Sequence, residues 1–264
     1  MPNALRGGTE TFWRTWGTGA PTALMLHCSL AHSGVWTGIV DRLGLSAIGP
    51  DFPGHGKTAP RDVTQDFPTQ CLRVAESFLT ETPMDVIAHS FGAFVGLRLA
   101  VENPHLVRRL VLIEPIFFAA AQGTPAFESN ASDLKLFMDA YESGDFVTAA
   151  QRFTDTWGAG MPWAAIPAAQ RQAFIDNISI IPAQDNGIFG DNAGLLQPGR
   201  LEAVTAPVLL LEGGKSPPII SGVNTALLQR LPNARRERLA HAGHMLPLTH
   251  AAETAALIAD FLSA

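Results

Sequence analysis

Cysteine is scarce in this chain: its 264 residues include only Cys28 and Cys71. Two thiols exclude a disulfide framework and any four-cysteine metal site, and their apolar surroundings read as buried free thiols. Basic charge is also short. Eighteen Lys and Arg against 24 Asp and Glu leave a net charge of −6. That removes the cationic surface needed to bind nucleic acid or anionic lipid. No apolar run reaches the roughly eighteen residues of a membrane-spanning helix, and the first residues, MPNALRGGTETFWRTWGTGA, hold no stretch of signal-peptide length. A soluble, cytoplasmic protein is the expectation. Charged residues make up 16% and hydrophobic residues 47%, a globular balance. The length suits one large domain, or one domain with an insertion.

Short apolar runs punctuate the chain: Ala23 to His27, Leu45 to Phe52, Met84 to His89, Arg109 to Glu114 and Val208 to Glu212. Runs that are apolar on both faces are the mark of buried parallel strands. Helical patterns fit between them at Gly34 to Gly44, Pro68 to Glu81, and Phe91 to Asn103 before Pro104. This alternation predicts an α/β fold, with a mostly parallel central sheet and helices on both faces. The middle departs from it. From Ile116 to Leu201 no strand-like run occurs, and Asp133 to Ser143, Phe146 to Trp157 and Ala168 to Ile178 read as helices. A structureless loop of that length is not expected in a compact protein. The predicted organisation is therefore a core of residues 1–115 and 202–264, with residues 116–201 inserted as a helical lid. The closing segment returns to the first pattern, with a helix at Ser221 to Leu231, a strand at Arg235 to Leu239 and a helix at Ala251 to Leu262.

Ligands of open α/β sheets collect outside the carboxyl ends of the strands, and chemistry-bearing residues gather at those ends. Ala88-His-Ser-Phe-Gly92 places Ser90 between a strand and a helix. A serine there is forced into a strained turn that presents its hydroxyl above the sheet. The helix that follows leaves the Phe91 N–H free as half of an oxyanion hole. Capping a helix is the plainer role for such a serine.

Three further segments accompany that turn. Asp51-Phe-Pro-Gly-His-Gly-Lys-Thr58 resembles the Asp-x-Pro-Gly-His-Gly-x-Ser segment of the α/β-hydrolase superfamily. Leu26-His-Cys-Ser29 stands where members carry His-Gly-x, and Ala242-Gly-His-Met245 stands where they carry the catalytic histidine. The resemblance covers nearly the whole chain and implies a serine-nucleophile, lid-containing, esterase-like member. It implies Ser90 as nucleophile, His244 as general base, and the Phe91 and Ser29 N–H groups as oxyanion donors. Cys28 replaces the usual glycine, so Leu30 is an alternative second donor. His27, His32, His55, His89, His105, His241 and His250 are expected to be structural or superficial.

The acid departs from the family pattern. Where Gly-x-x-Asp is usual, the chain reads Gly213-Gly-Lys-Ser216, and no carboxylate follows until after Leu231. Glu114, at the end of the strand after the nucleophile helix, is the favoured substitute. Glu212 is the alternative, and a site without an acid stays open. Phe117, Phe118 and Trp157 are expected to line an apolar pocket above Ser90. The expected function is hydrolysis of a carboxylic ester, thioester or lactone with a partly apolar acyl group, through an acyl-enzyme. A ligand-binding or sensory protein with little turnover, or a carbon–carbon bond hydrolase, is the alternative. The expected partner is a small ester-like molecule, and no motif calls for a metal, nucleotide or flavin cofactor.

Overall fold

The computed structural model describes residues 3–263. Its strands are β1 (Asn3–Arg6), β2 (Thr9–Trp16), β3 (Ala23–Leu26), β4 (Ala47–Pro50), β5 (Met84–His89), β6 (Val107–Ile113), β7 (Val208–Gly213) and β8 (Ala234–Leu239). They form one sheet in the order β1-β2-β4-β3-β5-β6-β7-β8. From β4 to β8 all neighbours are parallel; five of these six strands fall on the apolar runs, and β8 falls where the closing pattern places a strand. β1 and β2 pair antiparallel at the margin. The sequence pattern does not announce them, because β1 is largely exposed and β2 is only partly buried, so neither shows a continuous apolar run.

Period-two alternation divides the sheet's side chains between two cores. Leu24, Leu26, Val86, Ala88, Leu110, Leu112, Val208 and Leu210 face one side, under α2 (Phe67–Glu76), α3 (Phe91–Glu102) and α8 (Pro218–Arg230). Met25, Ile87, Val111, Ile113, Leu209 and Leu211 face the other, under α1 (Thr37–Leu43) and α10 (Ala251–Ser263). Between β6 and β7 the chain forms α4 (Pro125–Glu142), α5 (Phe146–Trp157), α6 (Ala168–Asn177) and α7 (Asp185–Ile188), with no strand among them. α4 starts earlier than its apolar pattern suggests, because the Thr124 side chain accepts from Phe127 N–H and Pro125 occupies the first turn. Phe137, Ala149, Ala150 and Ile178 give this helical segment a small core of its own. α9 (Leu246–Thr249) is a single turn before α10. Among the described residues no helix is long and apolar enough to cross a membrane.

Two loops at the carboxyl edge of the sheet are pinned by buried polar groups. Asp51 accepts from Ser33 N–H at 2.7 Å and Lys57 N–H at 3.0 Å. His27 donates from Nδ1 to Cys28 O and accepts Phe52 N–H at Nε2. His55 donates from Nδ1 to Pro53 O and accepts Leu30 N–H at Nε2. Each ring must be neutral to accept at Nε2. Burial, the largest cause, depresses His27 from the usual 6.5 to about 4 and His55 to about 3.

Depressed histidines bind protons more readily in the unfolded chain, so acid favours unfolding. Stability should therefore fall as pH drops from about 6.5 toward 5, with each histidine adding up to about 1.4 kcal/mol per pH unit. Urea melts at pH 7.5, 6 and 5 check this, and a flat profile would contradict it. Replacing His55 with Gln should make the profile shallower.

Candidate active site

In-register parallel pairing sets the ends of β5, β6 and β7 side by side, with His89 opposite Ile113 and Ile113 opposite Leu211. The ladder continues one residue beyond each strand. Ser90 N–H donates to Ile113 O and Glu114 N–H to Leu211 O, both at 2.8 Å. Two of the four non-glycine residues with positive φ among the described residues are therefore neighbours across the sheet: Ser90 at 57° and Glu114 at 54°. Such backbone strain costs about 1–3 kcal/mol and persists only where surrounding contacts hold it.

Gly92 makes the Ser90 turn sterically feasible. A Cβ at Gly92 would lie 2.4 Å from Leu26 O and 2.5 Å from His27 O, so α3 meets β3 backbone to backbone. Gly243, beside His244 in the sequence, is different: a Cβ there meets nothing within 4 Å.

His244 joins the two strained residues. Its Nε2 lies 3.0 Å from Ser90 Oγ and its Nδ1 2.9 Å from Glu114 Oε2. All three side chains are buried, Glu114 completely. The other carboxylate oxygen of Glu114 accepts Gly213 N–H at 2.6 Å and the Ser216 hydroxyl at 2.9 Å. Ser216, standing where the sequence pattern leads one to look for an acid, is thus a donor to a carboxylate from the neighbouring strand. His89, the buried last residue of β5, donates from Nε2 to His244 O at 2.9 Å and so holds the backbone of the loop. Burial, followed by the neighbouring His244, drives His89 well below its ordinary pKa. The Trp157 ring meets the His244 ring edge to face, with centroids 4.9 Å apart.

Glu212 is not brought to this group. Its Oε1 pairs with Arg236 at 2.6 Å and its Oε2 accepts from Asn224 at 2.8 Å, because its alternation in β7 turns it away from His244. Cys28 is buried, and burial pushes its thiol up to about 12, which leaves no thiolate at neutral pH. Among the described residues neither the Phe91 nor the Ser29 amide N–H has a protein acceptor, whereas Leu30 N–H is taken by His55. Leu30 is therefore not available as the second donor.

An apolar pocket opens on Ser90 and His244 and encloses about 680 Å³ of empty space, its mouth included. Phe118 and Trp157 line it, together with Phe137, Phe153, Ile188 and Phe189. Phe117 does not. It is fully buried in the core against Phe94, with ring centroids 5.5 Å apart, because the turn beginning at Phe118 points these neighbours in opposite directions. Gln184, which sequence reasoning missed, is buried in the pocket wall, and its Nε2 donates to Ser29 Oγ at 2.8 Å. No local motif marks Gln184, so only the fold could find it.

Known proteins share the family and the fold. The model of the alpha/beta hydrolase family matches residues 23–257. The chain is 33% identical over 243 residues to a pimeloyl-[acyl-carrier protein] methyl ester esterase of Nitrosomonas europaea, covering 87% of this chain and 90% of that one. It is 27% identical to the esterase Rv0045c of Mycobacterium tuberculosis, covering 81% and 73%. A solved haloalkane dehalogenase loop variant from Bradyrhizobium elkanii superposes with a TM-score of 0.74 at 21% identity, covering 99% and 97%, and shares the fold.

The steric contrast between the two glycines is measurable. Gly92→Ala should destabilise the protein by about 2 kcal/mol or more, as backbone overpacking does, whereas Gly243→Ala should leave the urea midpoint nearly unchanged. Equal effects would contradict the close approach of α3 to β3.

Proposed function

This chain belongs to the alpha/beta hydrolase family, and we propose that it is a serine hydrolase that cleaves carboxylic esters with a partly apolar acyl group. The observation that carries this reading is the continuous line from Ser90 Oγ through His244 to Glu114, opening on an apolar pocket. His244 Nε2 takes the Ser90 proton as Oγ attacks the ester carbonyl. The Glu114 carboxylate accepts a hydrogen bond from Nδ1–H, fixing the tautomer that leaves Nε2 free and stabilising the imidazolium that forms. The Phe91 and Ser29 N–H groups receive the oxyanion of the tetrahedral intermediate. His244 returns its proton to the departing alkoxide, and an acyl group remains on Ser90. The same imidazole then draws a proton from water as its oxygen attacks the acyl carbon. The second tetrahedral intermediate collapses to the free acid as the bond to Ser90 Oγ breaks and His244 returns the proton to it. No step needs a metal or a cofactor.

The helical segment 116–201 acts as the lid. It supplies Phe118, Trp157 and Phe189 as an apolar wall, and this wall excludes water from the developing oxyanion. It also supplies Gln184, whose bond to Ser29 Oγ holds the loop that presents the second oxyanion donor. The Nitrosomonas relative is named for a methyl ester of an acyl chain, which supports ester cleavage and an acyl pocket of this kind.

Labelling with a small fluorophosphonate, followed by intact mass, tests the reading. The wild type should take one label at Ser90, and Ser90→Ala should take none. Glu114→Gln should lower kcat/KM for p-nitrophenyl esters about a hundredfold or more, while Glu212→Gln retains most activity. Folded wild type that resists labelling would sink the proposal, and faster turnover of a 1,5-diketone than of every ester would move it to carbon–carbon bond cleavage.

Gln184 has a separate signature. Gln184→Leu should lower kcat about tenfold, less than the loss of an oxyanion donor itself, with KM changed less than about twofold. Affinity for a trifluoromethyl ketone should fall in parallel with kcat. A change confined to KM would assign Gln184 to substrate binding instead.

A further inference from the structure

Sequence alone leaves His241 and His250 as unrelated surface residues, one after a strand and one before a helix. The fold brings them together with Glu253 where the loop after β8 enters α10. Each of the three offers a ligand atom, and those atoms all lie within 4.8 Å of one another. His241 Nε2 and Glu253 Oε2 are 3.0 Å apart, and the two imidazole rings meet edge to face with centroids 5.0 Å apart. His250 stands immediately before α10 and Glu253 in its first turn.

The hydrogen bonds around His250 prepare it to bind a cation. The Thr249 hydroxyl donates to Met245 O at 3.1 Å and also lies 2.8 Å from His250 Nδ1. A hydroxyl has one proton to give. With that proton directed at Met245 O, Thr249 Oγ1 accepts a hydrogen bond from His250 Nδ1–H, and the ring's lone pair is left on Nε2. A hydrogen bond at the distal nitrogen is the usual support of a metal-binding imidazole. Between His241 and Glu253 a single imidazole proton bridges nitrogen and carboxylate, and a cation can take its place.

The spacing suits a small ion. Ligands at 2.0–2.1 Å in a tetrahedron are roughly 3.3 Å apart, close to the His241–Glu253 separation, and the exposed side chains can rotate to bring in the third. Two imidazoles and one carboxylate match borderline cations such as zinc, whereas magnesium and calcium prefer all-oxygen sets. The charged neighbours are mixed: Asp155 and Lys215 line the groove beside the histidines, and Arg42 lies near His250 and Glu253.

We propose that His241, His250 and Glu253 form a binding site for a zinc-class divalent cation. The ion would fasten the exit of β8 to the first turn of α10, bracing the loop that carries His244. This site is separate from the ester-cleavage reading and does not depend on it.

The test uses the full chain without a polyhistidine tag, titrated with zinc against a chromophoric indicator and followed by thermal unfolding. One zinc should bind per chain and raise the Tm, while magnesium produces no shift. His241→Ala and His250→Ala should abolish both effects, Glu253→Gln should weaken them, and Thr249→Val should weaken zinc binding roughly tenfold as loss of an outer support does. His105→Ala, a distant exposed histidine, should bind as the wild type does. Absence of saturable zinc binding would overturn the proposal. So would binding that survives both histidine variants but disappears in His244→Ala, because the ion would then occupy the Ser90 pocket.

Discussion

The carboxylate of Glu114 is the constraint around which the site is organised. It is fully buried, and a buried carboxylate without partners costs several kcal/mol. Three donors meet it: Gly213 N–H, the Ser216 hydroxyl and His244 Nδ1–H. They come from the end of β7, the loop after it and the loop after β8. One charge at the end of β6 therefore holds three strand ends in register, and loosening any one loop would leave the carboxylate short of a donor. This is also why the backbone at Glu114 can stay in a left-handed conformation. The contacts made there offset its strain.

The same bonds explain a departure that the sequence raises but does not resolve. Family resemblance directs attention to the segment after β7, where Ser216 stands in place of an acid. A serine cannot stabilise an imidazolium as a carboxylate does, yet its hydroxyl can donate to one. The exchange of acid for serine after β7 and the presence of Glu114 after β6 are complementary. Neither residue is intelligible without the other, and 102 positions separate them in the chain.

What the sequence revealed follows the range of the interactions involved. Parallel strands were legible because burial on both faces writes an apolar run into consecutive residues. The Ser90 turn was legible because its requirements sit within five positions, Ala88 to Gly92. Choosing between Glu114 and Glu212 required knowing which strand end faces which loop, and that depends on sheet order and alternation. Gln184 carries no local signature at all, since its partner Ser29 is 155 residues away. Phe117 and Phe118 show the limit at shortest range. Both are evident as large aromatics, but the turn starting at Phe118 sends one to Phe94 in the core and the other to the pocket.

Histidine chemistry separates His244 from the other buried imidazoles on physical grounds. His27 and His55 each spend both nitrogens on backbone groups, and His89 spends Nε2 on the carbonyl of His244. A backbone amide cannot give up its proton at neutral pH, so rings bonded this way fix loops and move nothing. Burial keeps all three neutral, which also spares the site competing positive charges. His244 alone among the buried histidines has both nitrogens on side-chain oxygens, a hydroxyl on one side and a carboxylate on the other. Only there can a proton cross from one partner while the opposite partner stabilises the charge that results. The neutral imidazoles around it hold the loops still enough for that geometry to persist.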